Sequence, residues 1–161
     1  MTLSLRSAVD LVSNPRNLDA SVDEVFRLMV GGPCTRSWQS PPPEVESVTA
    51  VVGFGGILTG ACVLRCGARA ACAIAGGMTG GHFDVVDDIV KDAIGEISNM
   101  VAGTWKGRVP ELAAYCDLSV PAVITGRDYR LRVQAPEFAL HHIYAFHRFR
   151  FEISILCDGV A

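Results

Sequence analysis

The spacing of apolar positions changes several times along the chain, and each change marks an element. Ser21 followed by Glu24 has the form of a capping box, and Val22, Val25, Phe26 and Met29 then recur at helical spacing. Gly31 and Gly32 end that helix, because glycine accepts the left-handed angles of a helix C-terminus. Before it, residues 1–20 offer only a turn or short lead-in at Asn14–Pro15. After it, Cys34, Ser37, Trp38 and Pro41–Pro42–Pro43 predict a stiff loop. Apolar runs near Val48–Phe54 and Ile57–Cys66 flank a cluster of glycines and predict a β-hairpin. Ala68, Ala71, Cys72, Ala75 and Met78 then share one face of a second helix, rich enough in alanine to pack closely on a sheet. Gly76, Gly77, Gly80 and Gly81 loosen the chain into a loop.

The third helix carries the strongest periodicity, from about Asp84 to Gly103 or a little beyond. At about 100° per residue, Val86, Ile89, Val90, Ala93, Ile97 and Met100 fall into one apolar arc. Asp92, Glu96, Asn99 and Gly103 form a second stripe, about 60° wide and centred roughly 110–130° from that arc. Past Gly107 and Pro110, a helical turn at Glu111–Tyr115 leads through Asp117 to four predicted strands. These are Val120–Thr125, which carries Pro121, then Tyr129–Val133, Phe138–Phe146 and Phe149–Cys157. The last alternates cleanly, Phe149, Phe151, Ile153 and Ile155 against Arg148, Arg150, Glu152 and Ser154. The order predicts an α+β fold with helices packed on a largely antiparallel sheet, as one domain over residues 1–161.

Composition narrows the function classes. The chain has 161 residues, half of them hydrophobic, and 14 Lys and Arg against 17 Asp and Glu. A net charge of −3 lacks the basic excess of nucleic-acid or membrane-surface binders, and the apolar content argues against disorder. Ser47–Leu64 is uncharged over about the length of a membrane span, but its central glycines favour the hairpin. The N-terminal stretch has one basic residue and no sustained apolar core, which is not the form of a signal peptide, so a cytoplasmic protein is expected. Six cysteines without a CxxC pair then read as reduced, buried small hydrophobes. His141 and His142 point to opposite faces of a strand, His147 lies further on, and no acidic residue stands at ligand spacing. They read as surface or interface histidines rather than metal ligands. P-loop, HExxH and GxSxG motifs are absent, and Gly53–Phe54–Gly55 has Leu58 where a dinucleotide motif needs its third glycine.

An acid, an acid and an amide on one helix flank usually form a solvated face. Here small residues surround them (Gly95, Ala102, Gly103), and the chain returns with Pro121. The segment Asp92-Ala-Ile-Gly-Glu96-Ile-Ser-Asn99-Met-Val-Ala-Gly103 resembles the signature of the CheC/CheX/FliY family of chemotaxis phosphatases. That signature is Asp or Ser, three residues, Glu, two residues and Asn, followed about two dozen residues later by Pro. Pro121 falls there, within Leu118-Ser-Val-Pro-Ala-Val-Ile-Thr-Gly126. Val51–Gly60 and, more loosely, Val22–Gly31 extend the resemblance over roughly residues 20 to 157. CheC and FliY types carry two Glu-x-x-Asn sites. Here the first helix has Arg27 three residues after Glu24, so one site remains and the CheX branch is the nearer one.

The resemblance implies a phosphatase acting on a phosphorylated CheY-type receiver, which carries an aspartyl phosphate and its own Mg²⁺. It implies no cofactor or metal held by this chain, and a homodimer joined through sheet edges. Asn99 would orient the attacking water and Glu96 would pair with the receiver's active-site lysine. Asp92 would either take part in docking or be a polar residue of the helix surface. Gly103 and Pro121 would border the substrate, Pro121 as a shaper of the loop. The alternative is a receiver-binding adaptor without catalysis. A metal- or thiol-dependent enzyme would rest only on the scattered Cys and His residues.

Overall fold

The computed structural model describes residues 10, 12–132 and 136–160. In chain order its elements are α1 (Pro15–Met29), β1 (Cys34–Ser37), β2 (Glu46–Gly56), β3 (Leu58–Gly67), α2 (Ala68–Thr79), α3 (Asp88–Gly107), α4 (Pro110–Tyr115), β4 (Cys116–Leu118), β5 (Ala122–Arg127), β6 (Phe138–Phe146) and β7 (Phe149–Val160). The strands form one antiparallel sheet, ordered β1-β6-β7-β3-β2. Beyond β2, two short strands share its outer edge: β4 pairs with Phe54–Gly56 and β5 with Glu46–Val51. This is the helix-covered antiparallel sheet that the apolar periods predict. Among the described residues, no helix is long and apolar enough to cross a membrane.

Helices α1 and α2 each pack against α3, and all three pack onto the sheet. Phe26 of α1 stacks on Phe151 with ring centroids 5.1 Å apart and meets Phe146 edge-on at 5.4 Å. Trp105 of α3 lies 5.4 Å from Phe54. Burial along β7 alternates as its sequence does, with Phe151, Ile153, Ile155 and Cys157 inward. All six cysteines are buried and unbonded, as small hydrophobes in a core are. The β2–β3 hairpin turns at Gly56, whose φ of +97° is costly for any residue with a Cβ. A Cβ there would also run into the carbonyl oxygen of Tyr115, so glycine is required twice over.

Several elements differ from the sequence expectation. Helix α1 begins at Pro15, not at Ser21, because Asn14 supplies the cap: its Oδ1 accepts from Arg16 N at 3.0 Å and Pro15 fits the first turn. Ser21 is instead a buried mid-helix residue whose hydroxyl donates to Asn17 O at 2.6 Å, and Glu24 pairs with Arg108 at 2.6 Å. Residues 34–37, expected as loop, form the edge strand β1, stabilised by β6 rather than by a pattern of their own. Tyr129–Arg132 form no strand, and Val133 lies outside the described residues. Asp128 turns the chain with φ +50°, after which Tyr129 hydrogen-bonds Thr49 and lies 5.2 Å under the Arg65 guanidinium, across the face of β2 and β3. Helix α3 starts four residues later than Asp84, since Asp87 caps it by accepting from Val90 N at 2.9 Å. Ile89, assigned to the apolar arc, is 54% exposed in that first turn. His142 is not at the surface. It is buried beside Asp19 and Tyr144, with Nδ1 3.1 Å from Asp19 Oδ1.

Candidate active site

Helix α3 is anchored by the apolar side chains of Val90, Ile94, Ile97, Val101 and Trp105, all fully buried. With that face fixed, the 3.6-residue repeat turns Asp92, Glu96 and Asn99 outward. Asp92 and Glu96 are exposed and Asn99 is half-buried. Neighbouring side chains are satisfied within the helix: Ser98 donates to Ile94 O at 2.8 Å and Lys91 pairs with Asp88 at 3.5 Å. Asp92, Glu96 and Asn99 have no side-chain hydrogen bond or ion pair among the described residues. Side chains three apart on a helix stand about 5–6 Å apart at Cβ, so Glu96 and Asn99 form a pair that one partner cleft can receive.

Pro121 reaches the same place by a different route. It is not inside a strand, as expected from Val120–Thr125, but in the gap between β4 and β5, where the outer side of β2 has no ladder partner between Val51 and Phe54. A proline has no N–H to give to a ladder, and a break in pairing suits it. Ser119 holds the gap closed: its N–H donates to Gly53 O at 2.9 Å, and Gly53 N–H donates to Ser119 Oγ at 2.8 Å. The Ser119 hydroxyl in turn donates to Val120 O at 3.1 Å.

This pinned segment lies along α3 where the helix lacks side chains. A Cβ placed on Gly103 would be 3.7 Å from Leu118 Cδ1, and one on Gly95 would be 3.7 Å from Pro121 Cγ and 3.2 Å from Val123 Cγ2. Gly95 and Gly103 therefore let residues 118–123 approach the helix backbone on one flank of the Glu96–Asn99 pair. The fold thus gathers Asp92, Glu96, Asn99, Gly103 and Pro121 on one side of the molecule. Ser119 and its partner Gly53 lie in segments that carry the family resemblance but have no role assigned from sequence, and neither has Lys106, whose ammonium donates to the carbonyls of Ala113 and Cys116 and ties the end of α3 to β4. The sequence signals for Ser119 are its place two residues before a proline and within the Leu118–Gly126 segment.

The candidate site lies on the outward side of α3, away from its buried face. The two largest clefts described, about 550 and 480 Å³, lie around Arg69, Arg148 and Phe149 and are lined by neither Glu96 nor Asn99. A helix face bearing an acid and an amide, outside the clefts described, suits a macromolecular partner with a cleft of its own better than a small molecule. Among the described residues, no group of three or more His, Cys, Asp or Glu side chains is arranged to hold a metal ion. Helix α1 does not repeat the site. Glu24 is held by Arg108, whose Nε also donates to Ser21 Oγ at 3.0 Å, and Arg27 pairs with Asp23 at 2.8 Å.

Comparison with known proteins shows the family and the fold. The family model described as chemotaxis phosphatase CheX matches residues 48–142, which include α3 and Pro121. The CheY-P phosphatase CheX of Thermotoga maritima is 29% identical over 119 residues, 71% of this chain and 77% of that protein. The chemotaxis protein CheX of Vibrio vulnificus shares the fold with a TM-score of 0.75 at 22% identity, over 89% of this chain and 95% of that one. A CheX–CheY–BeF3–Mg complex from Borrelia burgdorferi aligns with a TM-score of 0.71 at 18% identity, over 92% of this chain and 99% of that one.

Proposed function

The chain belongs to the CheX family of chemotaxis phosphatases, and from that premise we propose that Glu96 and Asn99 act together on the aspartyl phosphate of a CheY-type receiver. An acyl phosphate is already activated, so its hydrolysis needs chiefly a water held in line with the P–O bond to the leaving carboxylate. The water oxygen bonds to phosphorus, that P–O bond breaks, and the aspartate carboxylate and inorganic phosphate separate. Asn99 suits the positioning task because a neutral amide accepts from the water through Oδ1 while donating through Nδ2. Glu96, one turn away, pairs with the receiver's active-site lysine and sets the register of the two proteins. Mg²⁺ belongs to the receiver, and this chain brings no metal or cofactor.

The remaining residues take supporting roles in this reading. Asp92 extends the docking stripe by one turn, Gly103 keeps the far end of it low, and Pro121 shapes the border. The observation that carries the proposal is the Glu96–Asn99 couple on a well-anchored helix, Glu96 exposed and Asn99 half-buried, neither with a side-chain partner among the described residues. Dimerisation through a sheet edge is also proposed. β1 covers only Ile143–Phe146 of β6 and leaves the outward backbone of residues 138–142 without a strand partner among the described residues, as edge pairing needs. A cytoplasmic location accords with six reduced thiols.

Decay of a phosphorylated CheY-type receiver, followed with and without the protein, tests the function. The protein accelerates decay, Asn99→Ala lowers kcat by about 100-fold, the scale of losing one aligned polar group, and Glu96→Ala mainly raises KM. Binding without acceleration of a cognate receiver would establish the adaptor instead.

A further inference from the structure

Resting on that phosphatase reading, we infer that Val120 is an apolar anchor for the docked receiver, beside Asn99, and that Ile89 plays the same part at the other end of the polar stripe. At 86% exposure, Val120 is the most exposed large hydrophobic side chain among the described residues. Scattered apolar side chains on a surface carry little meaning. Val120 differs from a scattered one in its backbone and in its place.

Its backbone is fixed on both sides. Ser119 makes two hydrogen bonds to Gly53 and a third to the carbonyl of Val120 itself, and Pro121 follows with a locked φ. A segment held this firmly presents its side chain without losing further freedom when a partner arrives, which is how preorganised contacts gain affinity. Its place follows from the two points where the segment touches α3. Leu118 lies over Gly103 and Pro121 over Gly95, so residues 119 and 120 pass the turn between them, the turn that carries Asn99. Ser119, though exposed, is tied to Gly53 of β2 through its N–H and its hydroxyl, and Val120 is left facing solvent with no such tie for its side chain.

Ile89 stands seven residues before Glu96, two helical turns along the same stripe, and is 54% exposed. Two apolar side chains thus bracket the polar residues proposed to enter the receiver's cleft. Continuity with that site commits the surface to the receiver, through apolar residues bordering its phosphoacceptor cleft. Interfaces of this kind concentrate affinity in a few central side chains that become fully desolvated.

The test uses the CheY-type receiver, from a panel of such receivers, whose phosphate decay the unmodified protein accelerates most. Val120→Ala raises KM about tenfold, the scale of burying a valine, while kcat is held. Val120→Asp raises KM further, by about 100-fold or more, because it sets an unpaired charge in the interface. Trp38→Ala removes an equally exposed apolar side chain just past β1, at the opposite edge of the sheet, and changes neither constant. Unchanged thermal unfolding of the Val120 variants shows that the fold is intact. An unaltered KM in Val120→Asp overturns the inference and leaves the phosphatase reading standing. So does a fall in kcat alone, or an equal effect of Trp38→Ala. Failure of the unmodified protein to accelerate any receiver overturns the reading and the inference with it.

Discussion

Gly95 and Pro121 meet with no side chain from the helix between them: a Cβ on residue 95 would lie 3.7 Å from Pro121 Cγ and 3.2 Å from Val123 Cγ2. A glycine inside a helix forfeits about 1 kcal/mol relative to alanine, so its presence one residue before Glu96 reflects a packing demand. Gly95→Ala gains that helical preference but must push Val123 by a few tenths of an ångström, and its stability is expected within about 1 kcal/mol of the unmodified protein. Gly95→Val overpacks the contact and loses about 1–3 kcal/mol in urea unfolding. A valine variant as stable as the unmodified protein would show that the strand side does not rest on the helix there.

Restoring the missing amide of α1 does not create a second site. Arg27→Asn completes a Glu-x-x-Asn pattern that begins at Glu24, yet Glu24 remains tied to Arg108 at 2.6 Å. Receiver dephosphorylation by Arg27→Asn is expected to match that of the unmodified protein. Stability falls by no more than about 0.5 kcal/mol for the lost exposed pair with Asp23. Activity that survives in the double variant Arg27→Asn, Asn99→Ala would contradict this.

Stability is expected to decline on the acid side of neutrality through His142. Burial holds its pKa below the ordinary value of 6.5, and Arg36 and His141 act in the same direction against the opposing pull of Asp19. Below about pH 6.5 the unfolded chain therefore binds more protons at this position than the folded one, and stability is lost as the pH falls. Above the unfolded pKa the contribution is constant. Urea midpoints at pH 5.5 and 7.5 should differ more for the unmodified protein than for His142→Asn, which does not titrate. Equal differences would remove His142 from the acid limb.

The thiols should be silent in the folded protein. Burial pushes Cys62 and Cys157 up to about 12, and raises Cys34, Cys66, Cys72 and Cys116 as well. A disulfide reagent at pH 8 reacts with thiolate, so native labelling is expected to be slow, with all six thiols reacting once the chain is unfolded in guanidinium. Fast native labelling of several thiols would show that the core opens readily. Cys72, at 9% exposure, is the expected first site.

Much of this architecture is legible along the chain because local period reports burial. The apolar repeat of α3 and the alternation of β7 each place one face inward, and the glycines between two apolar runs place the hairpin. The spacing of Glu96 and Asn99 likewise sets them side by side, since i and i+3 share a helix face whatever the helix packs on. What stayed hidden depends on groups distant in sequence. β1 is a strand because β6 lies beside it, and His142 is buried because Asp19, on a helix more than a hundred residues earlier, meets it there. Pro121 borders the Glu96–Asn99 couple because β4 and β5 leave a gap on β2 that Ser119 closes against Gly53. Periodicity reflects which way each residue faces. Which remote group it faces is decided by pairing and packing across the whole sheet.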